Sequence, residues 1–259
     1  MTDQAHTPAN STTLNFSSHQ ILLPIMAVAI SQYDTSAFNK LPGFEVAGPN
    51  YDEVDGRKII AEVMTPLFRK HGVEKVLGLQ LLHQHFQLRD GEHLVDFNGT
   101  SVPIAPHETQ LQSFTTSIWS FKKKENGFQL QPLELKLDSG DTKINEASPW
   151  NEANFQQFVA SKQSFFEEYY RVVQELGIEE LFGFARYPGD GFPGRVEISI
   201  GRTSINLTPA QSSIYSIGEG REAAWFFTDD FIKHGCKCLC PEYNGTHAGH
   251  NLHIYTVSG

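Results

Sequence analysis

Gly72-Val-Glu-Lys-Val-Leu-Gly-Leu79 and Gly177-Ile-Glu-Glu-Leu-Phe-Gly-Phe184 are one eight-residue pattern written twice, 105 residues apart, identical or chemically matched at seven of eight positions. Each copy follows an amphipathic run. From about Asp52 to His71, Ile59, Ile60, Val63, Leu67 and Phe68 share one helical face, with a bend expected at Pro66. Before the second copy, a helix opened by Ser148-Pro149 carries Phe158, Phe165, Phe166, Tyr169, Val172, Val173 and Leu176. Gly72 and Gly177 then fall just past each helix, where a left-handed backbone costs glycine little.

The echo extends outward. Leu94 to Ile104 is matched by Val196 to Leu207, with Gly99 opposite Gly201. Ile118-Trp119-Ser-Phe121 is matched by Ala224-Trp225-Phe-Phe227, and Gly127 by Gly235. The offset drifts only between about 102 and 108, as short loop insertions produce. Four blocks in order argue for two copies of one unit: a helix, then three or four strands joined by short turns such as Glu125-Asn126-Gly127. Such a unit predicts the α+β class, antiparallel sheets with helices on one face. The expected organisation is a disordered polar N-terminus over 1–19, a first unit over 20–137 and a second over 138–259, together forming one pseudo-symmetric domain or two. With Ile21–Ile30 and Phe128–Leu137 as leading strands, each unit becomes βαβββ. That arrangement resembles the vicinal-oxygen-chelate fold, whose members often hold a metal between paired modules; no motif of that family is present, so the resemblance is one of architecture.

Composition narrows the function classes. Thirty acidic against twenty basic residues give a net charge of −10, which repels phosphate backbones, and the only dense basic run, Lys122 to Lys124, reads as a solvated turn. Nucleic acid is therefore not an expected partner. The N-terminus lacks a basic region, and the apolar run Ile21 to Ile30 is short and interrupted by Pro24, so neither a signal peptide nor a membrane span is expected. Three cysteines at i, i+2 and i+4 do not form a disulfide framework; free or metal-bound thiols in the cytoplasm are the simpler reading.

Chemistry-bearing residues concentrate where the copies differ. The first copy continues into His83-Gln84-His85-Phe86, where the second has Pro188-Gly189-Asp190-Gly191. On a strand, His83 and His85 would share the face of Leu77, Leu79 and Leu81, about 7 Å apart and within reach of one ion, with Glu92 or His93 as a third donor. The alternative is a pair of core histidines bonded to backbone carbonyls. The C-terminal stretch His234 to His253 holds all three cysteines, Cys236, Cys238 and Cys240, together with His247, His250 and His253. Extended backbone would put the three thiols on one face, and His253 would lie on a last strand, Leu252 to Val257. No standard zinc-finger spacing is present, so a metal expectation rests on the density of donors. The competing readings are small core cysteines, exposed loop histidines, an ion that only ties down the C-terminus, or a Cys238 or Cys240 nucleophile aided by His234 or His247.

At L-L-H-Q-H-F, the following G-E-x-L-V and the Cys/His tail, the chain resembles a group of uncharacterised fungal proteins over about half its length. The resemblance implies no activity and no catalytic residue. The sequence thus predicts a metal-dependent enzyme acting on a small organic molecule. Zn²⁺, with Fe or Cu as alternatives, would be held by His83, His85, Cys236, Cys238, Cys240, His247, His250 and His253, with Glu92 or Glu242 as acid/base. Its alternative is a non-enzymatic binding or regulatory protein with a structural zinc or none.

Overall fold

The computed structural model describes residues 27–105, 114–125, 127–137, 150, 152–190, 192, 194–212 and 221–228, with backbone alone at 209, 212 and 250–254. After β1 (Val28–Ile30), α1 (Thr35–Asn39) is capped by the Asp34 carboxylate, which accepts from the Ser36 N–H. The helix expected from Asp52 to His71 is assembled from pieces: α2 (Phe44–Glu53), α3 (Gly56–Ile59), a π turn over Ile60–Met64, and α4 (Thr65–His71). Asp55, at a left-handed φ of 52°, separates the first two. The bend expected at Pro66 takes the form of the π turn. Proline has no N–H and its ring crowds the carbonyl one turn back, so the Thr65 N–H and hydroxyl both reach the Ile60 carbonyl, the hydroxyl at 2.8 Å.

Gly72 closes α4 at φ 60° and Gly177 closes α6 at φ 67°, and the next residue's N–H donates back to Phe68 or Val173 in the same way. The second helix is also divided, into α5 (Glu152–Ser161) and α6 (Gln163–Leu176). Lys162 leaves the helical region between them, and its ammonium donates to the His71 carbonyl at the end of α4, 2.7 Å away. Among the described residues no helix is long and apolar enough to cross a membrane.

The strands are β2 (Leu77–Leu81), β3 (His93–Phe97), β4 (Thr100–Ile104), β5 (Phe114–Lys124), β6 (Gly127–Leu137), β7 (Phe182–Arg186), β8 (Val196–Ile200), β9 (Thr203–Leu207), β10 (Ala224–Trp225) and β11 (His250–Ile254); the short α7 (Pro209–Ser212) follows β9. They form one sheet in the order β10-β2-β7-β5-β6-β3-β4-β9-β8-β11, with β1 parallel to β6. The fold is α+β, and its pairings are antiparallel except where β6 meets β1 and β3. Strands of the two halves interleave: β7 lies between β2 and β5, and β4 beside β9. Phe128–Leu137, expected to lead a second unit, lies in β6 as the hairpin partner of β5. Of Ile21–Ile30, residues 28–30 form β1 and 21–26 lie outside the described residues.

The registers have a regularity of their own. Leu79 pairs with Phe184, flanked by Leu77–Arg186 and Leu81–Phe182. Ser101 pairs with Ser204. Trp119 sits opposite Phe184 on β7, and Trp225 opposite Leu79 on β2. The hairpins β3–β4 and β8–β9 turn at Asn98-Gly99 and Gly201-Arg202, so Asn98 (φ 51°) rather than Gly99 corresponds to Gly201 (φ 60°), one residue from the match read in the sequence.

Leu77, Leu79, Leu81, Phe121, Phe128, Phe182 and Phe184 belong to one aromatic-rich core with side chains of α2 to α6. Phe38 of α1 belongs to another cluster, with Leu82, Leu88, Leu94 and Leu133. β2 and β8 are each second from an end of the sheet, yet Gln80 and Glu197 line one cavity. The sheet therefore curls around it. The enclosed face is polar: Asp96, Ser101, Ser199 and Ser204 are at most 8 % exposed, whereas Ile200 is 51 % exposed.

Candidate functional site

The cavity holds about 90 Å³, room for a few waters or the reacting end of a small molecule. β2 delivers His83 and His85 to it just beyond its last residue, Leu81. Gln84 between them bridges to Gly43, which seats Phe44 of α2 against both imidazoles, at 4.9 and 6.2 Å between ring centres. The two imidazoles themselves are 4.9 Å apart, edge to face.

Glu134 reaches the cavity through a pair of bulges. The register of β5 on β6 shifts on both sides of the Ile118–Glu134 pair, leaving Leu133 extra on one strand and Ser117 on the other. One extra residue exchanges the faces of a strand. Glu134, even-numbered like the core residues Phe128 and Leu130, therefore meets the Ser101 hydroxyl at 2.5 Å and the Ser117 hydroxyl at 3.0 Å, both donating to its carboxyl. Glu197 of β8 is held by the Ser204 hydroxyl, and its Oε1 lies 3.8 Å from His85 Nε2. The Ser101–Ser204 pair thus stands between two half-buried glutamates.

Burial controls their protonation. With little water to solvate an anion, the Glu197 carboxyl is pushed up to about 7; the Ser204 hydroxyl opposes the shift and the charge of Asp96 adds to it. Glu134 is raised for the same reasons, by burial first and by Asp96 next, against its two serines. The histidines move the other way. Burial lowers His83 to about 4 and holds His85 well below the usual imidazole range, where the neighbouring His83 depresses it further. His83 Nδ1–H donates to the Leu81 carbonyl at 2.8 Å, which fixes Nε2 as the acceptor nitrogen. Near neutral pH the cavity therefore combines neutral imidazoles with carboxyls that can hold or release a proton.

No protein-family model matches this chain, and no curated protein or solved structure is significantly similar to it. Its chemistry has to be read from its own residues.

Of the residues singled out in the sequence, His83 and His85 lie side by side, but beyond the end of β2 rather than on the strand face where the sequence placed them. His93 packs its ring on Tyr33, 4.4 Å between centres. Glu92 is held by Arg202 and by the Arg89 N–H at 2.7 Å, and the Arg202 hydrogen bond keeps its carboxyl below the usual range. Glu92 is thus an anion committed to an ion pair, poorly suited to giving a proton near neutrality. His250 and His253 lie on β11, whose backbone pairs His253 with Glu197 and His250 with Ile200. Cys236, Cys238, Cys240, Glu242 and His247 lie outside the described residues. Among the described residues no three His, Cys, Asp or Glu are arranged to hold a metal ion.

Glu134 and Glu197 do not stand out in the sequence. Each sits in an alternating strand, Leu133-Glu-Leu-Lys-Leu137 and Val196-Glu-Ile-Ser-Ile200, whose polar positions look solvent-facing. The available signal was the serines, since Ser101 and Ser204 fall at matched positions in the two halves.

Proposed function

We propose that the protein is an enzyme of small-molecule metabolism whose reactive centre is the cavity of His83, His85, Glu134 and Glu197, and that it works by moving a proton to or from a small polar substrate. The observation that carries this reading is the inverted sheet face. A strand pattern that would ordinarily send Glu, Asp and Ser to water turns them inward around an enclosed space, and burying such groups costs stability even when they are hydrogen-bonded, a cost that a chemical role would explain. In this reading Glu197, raised to about 7 and so holding a proton in part of the molecules near neutrality, is the general acid, and His83 Nε2 is an acceptor for the returning proton. The test is to incubate the protein with a pool of small polar metabolites in D₂O and follow conversion or deuterium incorporation by mass spectrometry. Wild-type protein should alter at least one compound, and Glu197→Gln should slow that change at least about 100-fold. A pool left untouched, or altered equally by the variant, counts against the proposal.

A metal-dependent version has the histidine pair in its favour, with the Glu197 carboxylate beside it. It needs further donors, for which the C-terminal Cys/His cluster is the source. Stoichiometric zinc, iron or copper in purified protein, lost in His83→Ala, is its expected signature; metal-free active protein contradicts it.

We propose as well that the two halves descend from one duplicated unit. The paired glycine caps, the paired Trp strands and the registers centred on Leu79–Phe184 and Ser101–Ser204 support it, each relating a residue to its own counterpart.

A further inference from the structure

The inner wall of the curled sheet carries a row of polar side chains that all line the His/Glu cavity: Glu134 from β6, Ser101 from β4, Ser204 from β9 and Glu197 from β8. Ser101 donates to Glu134 and Ser204 to Glu197. The two serines face each other in the β4–β9 register, which sets such side chains about 5 Å apart. The row therefore ends in a carboxyl on each side of a small enclosed space. Ser199 supports it, its hydroxyl 2.9 Å from that of Ser204. Glu134 reaches this row by a departure from regular structure. Among the described strand pairings the register shifts only around Ile118–Glu134, and bulges of this kind re-aim side chains beside active sites. Ser117, left over by the same irregularity, supplies the second hydroxyl to Glu134. The two carboxyls also sense one another, because the charge of Glu197 helps to raise Glu134 and such repulsion is mutual. The other titratable groups facing the pair are Asp96, 2.6 Å from Lys136, together with Tyr33, His83 and His85, and β11 places His253 opposite Glu197 in register. His83, lowered by burial to about 4, offers an acceptor nitrogen but keeps no proton near neutrality.

We propose that Glu134 is a second catalytic residue, the base that works opposite the acid Glu197, and that the pair isomerises a small α-hydroxy carbonyl compound. The inference rests on the cavity being the reactive centre; it adds a residue, a reaction class and a substrate class. In the first half the Glu134 carboxylate removes the proton from the hydroxyl-bearing carbon, the C–H electron pair becomes a C=C bond, and the opening carbonyl oxygen takes the proton of Glu197. In the second half Glu134 gives its proton to the former carbonyl carbon, while Glu197 takes one from the other oxygen as the new C=O forms. Both carboxyls end as they began, and neither an oxidant nor a further reactant is consumed. Two proton carriers of similar affinity suit a reaction that leaves the substrate's proton count unchanged.

The test incubates the full chain in D₂O with a pool of α-hydroxy aldehydes and ketones. Wild-type protein should convert at least one into its isomer, with deuterium on carbon and no other change of mass. Glu134→Gln should slow that conversion at least about 100-fold and remove one limb of a bell-shaped pH profile, a change that a merely structural role would not produce. If Glu134→Gln fails to fold, Ser101→Ala takes its place: it keeps the carboxyl, removes one of its two donors and should slow conversion about tenfold. Carbon-13 NMR of glutamate-labelled protein checks the pairing without any substrate, since Glu134→Gln should lower the titration midpoint of Glu197 by about one pH unit. A product heavier by one water, a pH profile that keeps both limbs in Glu134→Gln, or a Glu197 midpoint unmoved by that variant overturns the proposal. The two readings fail differently. Proton chemistry that survives Glu134→Gln but not Glu197→Gln removes this inference and leaves the enzyme; a wild-type protein inert toward every small polar metabolite removes both.

Discussion

Glu197 carries the most testable energetics of any single residue here. Its carboxyl is raised by burial from 4.5 to about 7. In the window between those values the folded state holds a proton that the unfolded state has released. The associated stability is therefore complete below about pH 4.5 and lost as pH rises through about 7. His83 has the opposite sign: lowered from 6.5 to about 4, it costs stability as pH falls through that interval. The two effects offset one another up to about pH 6.5, and above it the carboxyl dominates. Glu197→Gln should consequently gain about 2 kcal/mol relative to wild type between pH 5.5 and pH 8, read from denaturant midpoints at the two pH values. A stability difference flat with pH would mean that the carboxyl is solvated and ordinary. The sequence could not disclose this. Alternation says which residues share a face, but whether that face meets water or the inside of a curled sheet depends on strand neighbours far away in the chain.

Individual elements were easier to read. The glycine caps at Gly72 and Gly177 follow from local chemistry, and both take the left-handed backbone that the pattern predicted. The repeated pattern also contains Gly78 and Gly183, and their purpose emerges only in three dimensions. A Cβ on Gly183 would lie 2.2 Å from the Trp119 carbonyl oxygen, and one on Gly78 would lie 2.6 Å from that of Trp225. Each glycine admits the Trp-bearing strand alongside it. Alanine at Gly72 or Gly177 meets no obstacle nearer than 3.9 Å and has only the backbone penalty to overcome, about 1 kcal/mol. Gly183→Ala must displace a neighbouring strand and should lose about 3 kcal/mol or more. Thermal unfolding of the two variants gives the order; equal losses would contradict the close strand contact. Helix breaks at Asp55 and Lys162 were not legible: Asp55 takes a left-handed backbone that glycine more often adopts, and the Lys162 ammonium finds its partner at the His71 carbonyl, far away in the chain.

At the scale of the whole molecule, the blocks found in the sequence correspond to real strand sets, but their order in the sheet does not follow the chain. β7 is inserted between β2 and β5, and β4 is completed by β9, so each half supplies edges that the other covers. Pairing between distant strands leaves no local trace in a single sequence. A consequence is that residues 1–137 alone should unfold without cooperativity, whereas mixing them with 138–259 should restore a cooperative transition in far-UV circular dichroism. A fragment that folds alone would show that the halves are independent units. The polar cavity belongs to the same assembly, since Gln80, Glu134 and Glu197 converge only when the sheet curls. The most direct measurement on the account as a whole is a carbon-13 NMR titration of glutamate-labelled protein, with Glu197→Gln assigning the signal. The Glu197 carboxyl should titrate at about 7; titration in the ordinary carboxylate range near 4 would show a solvated side chain and no proton-holding cavity.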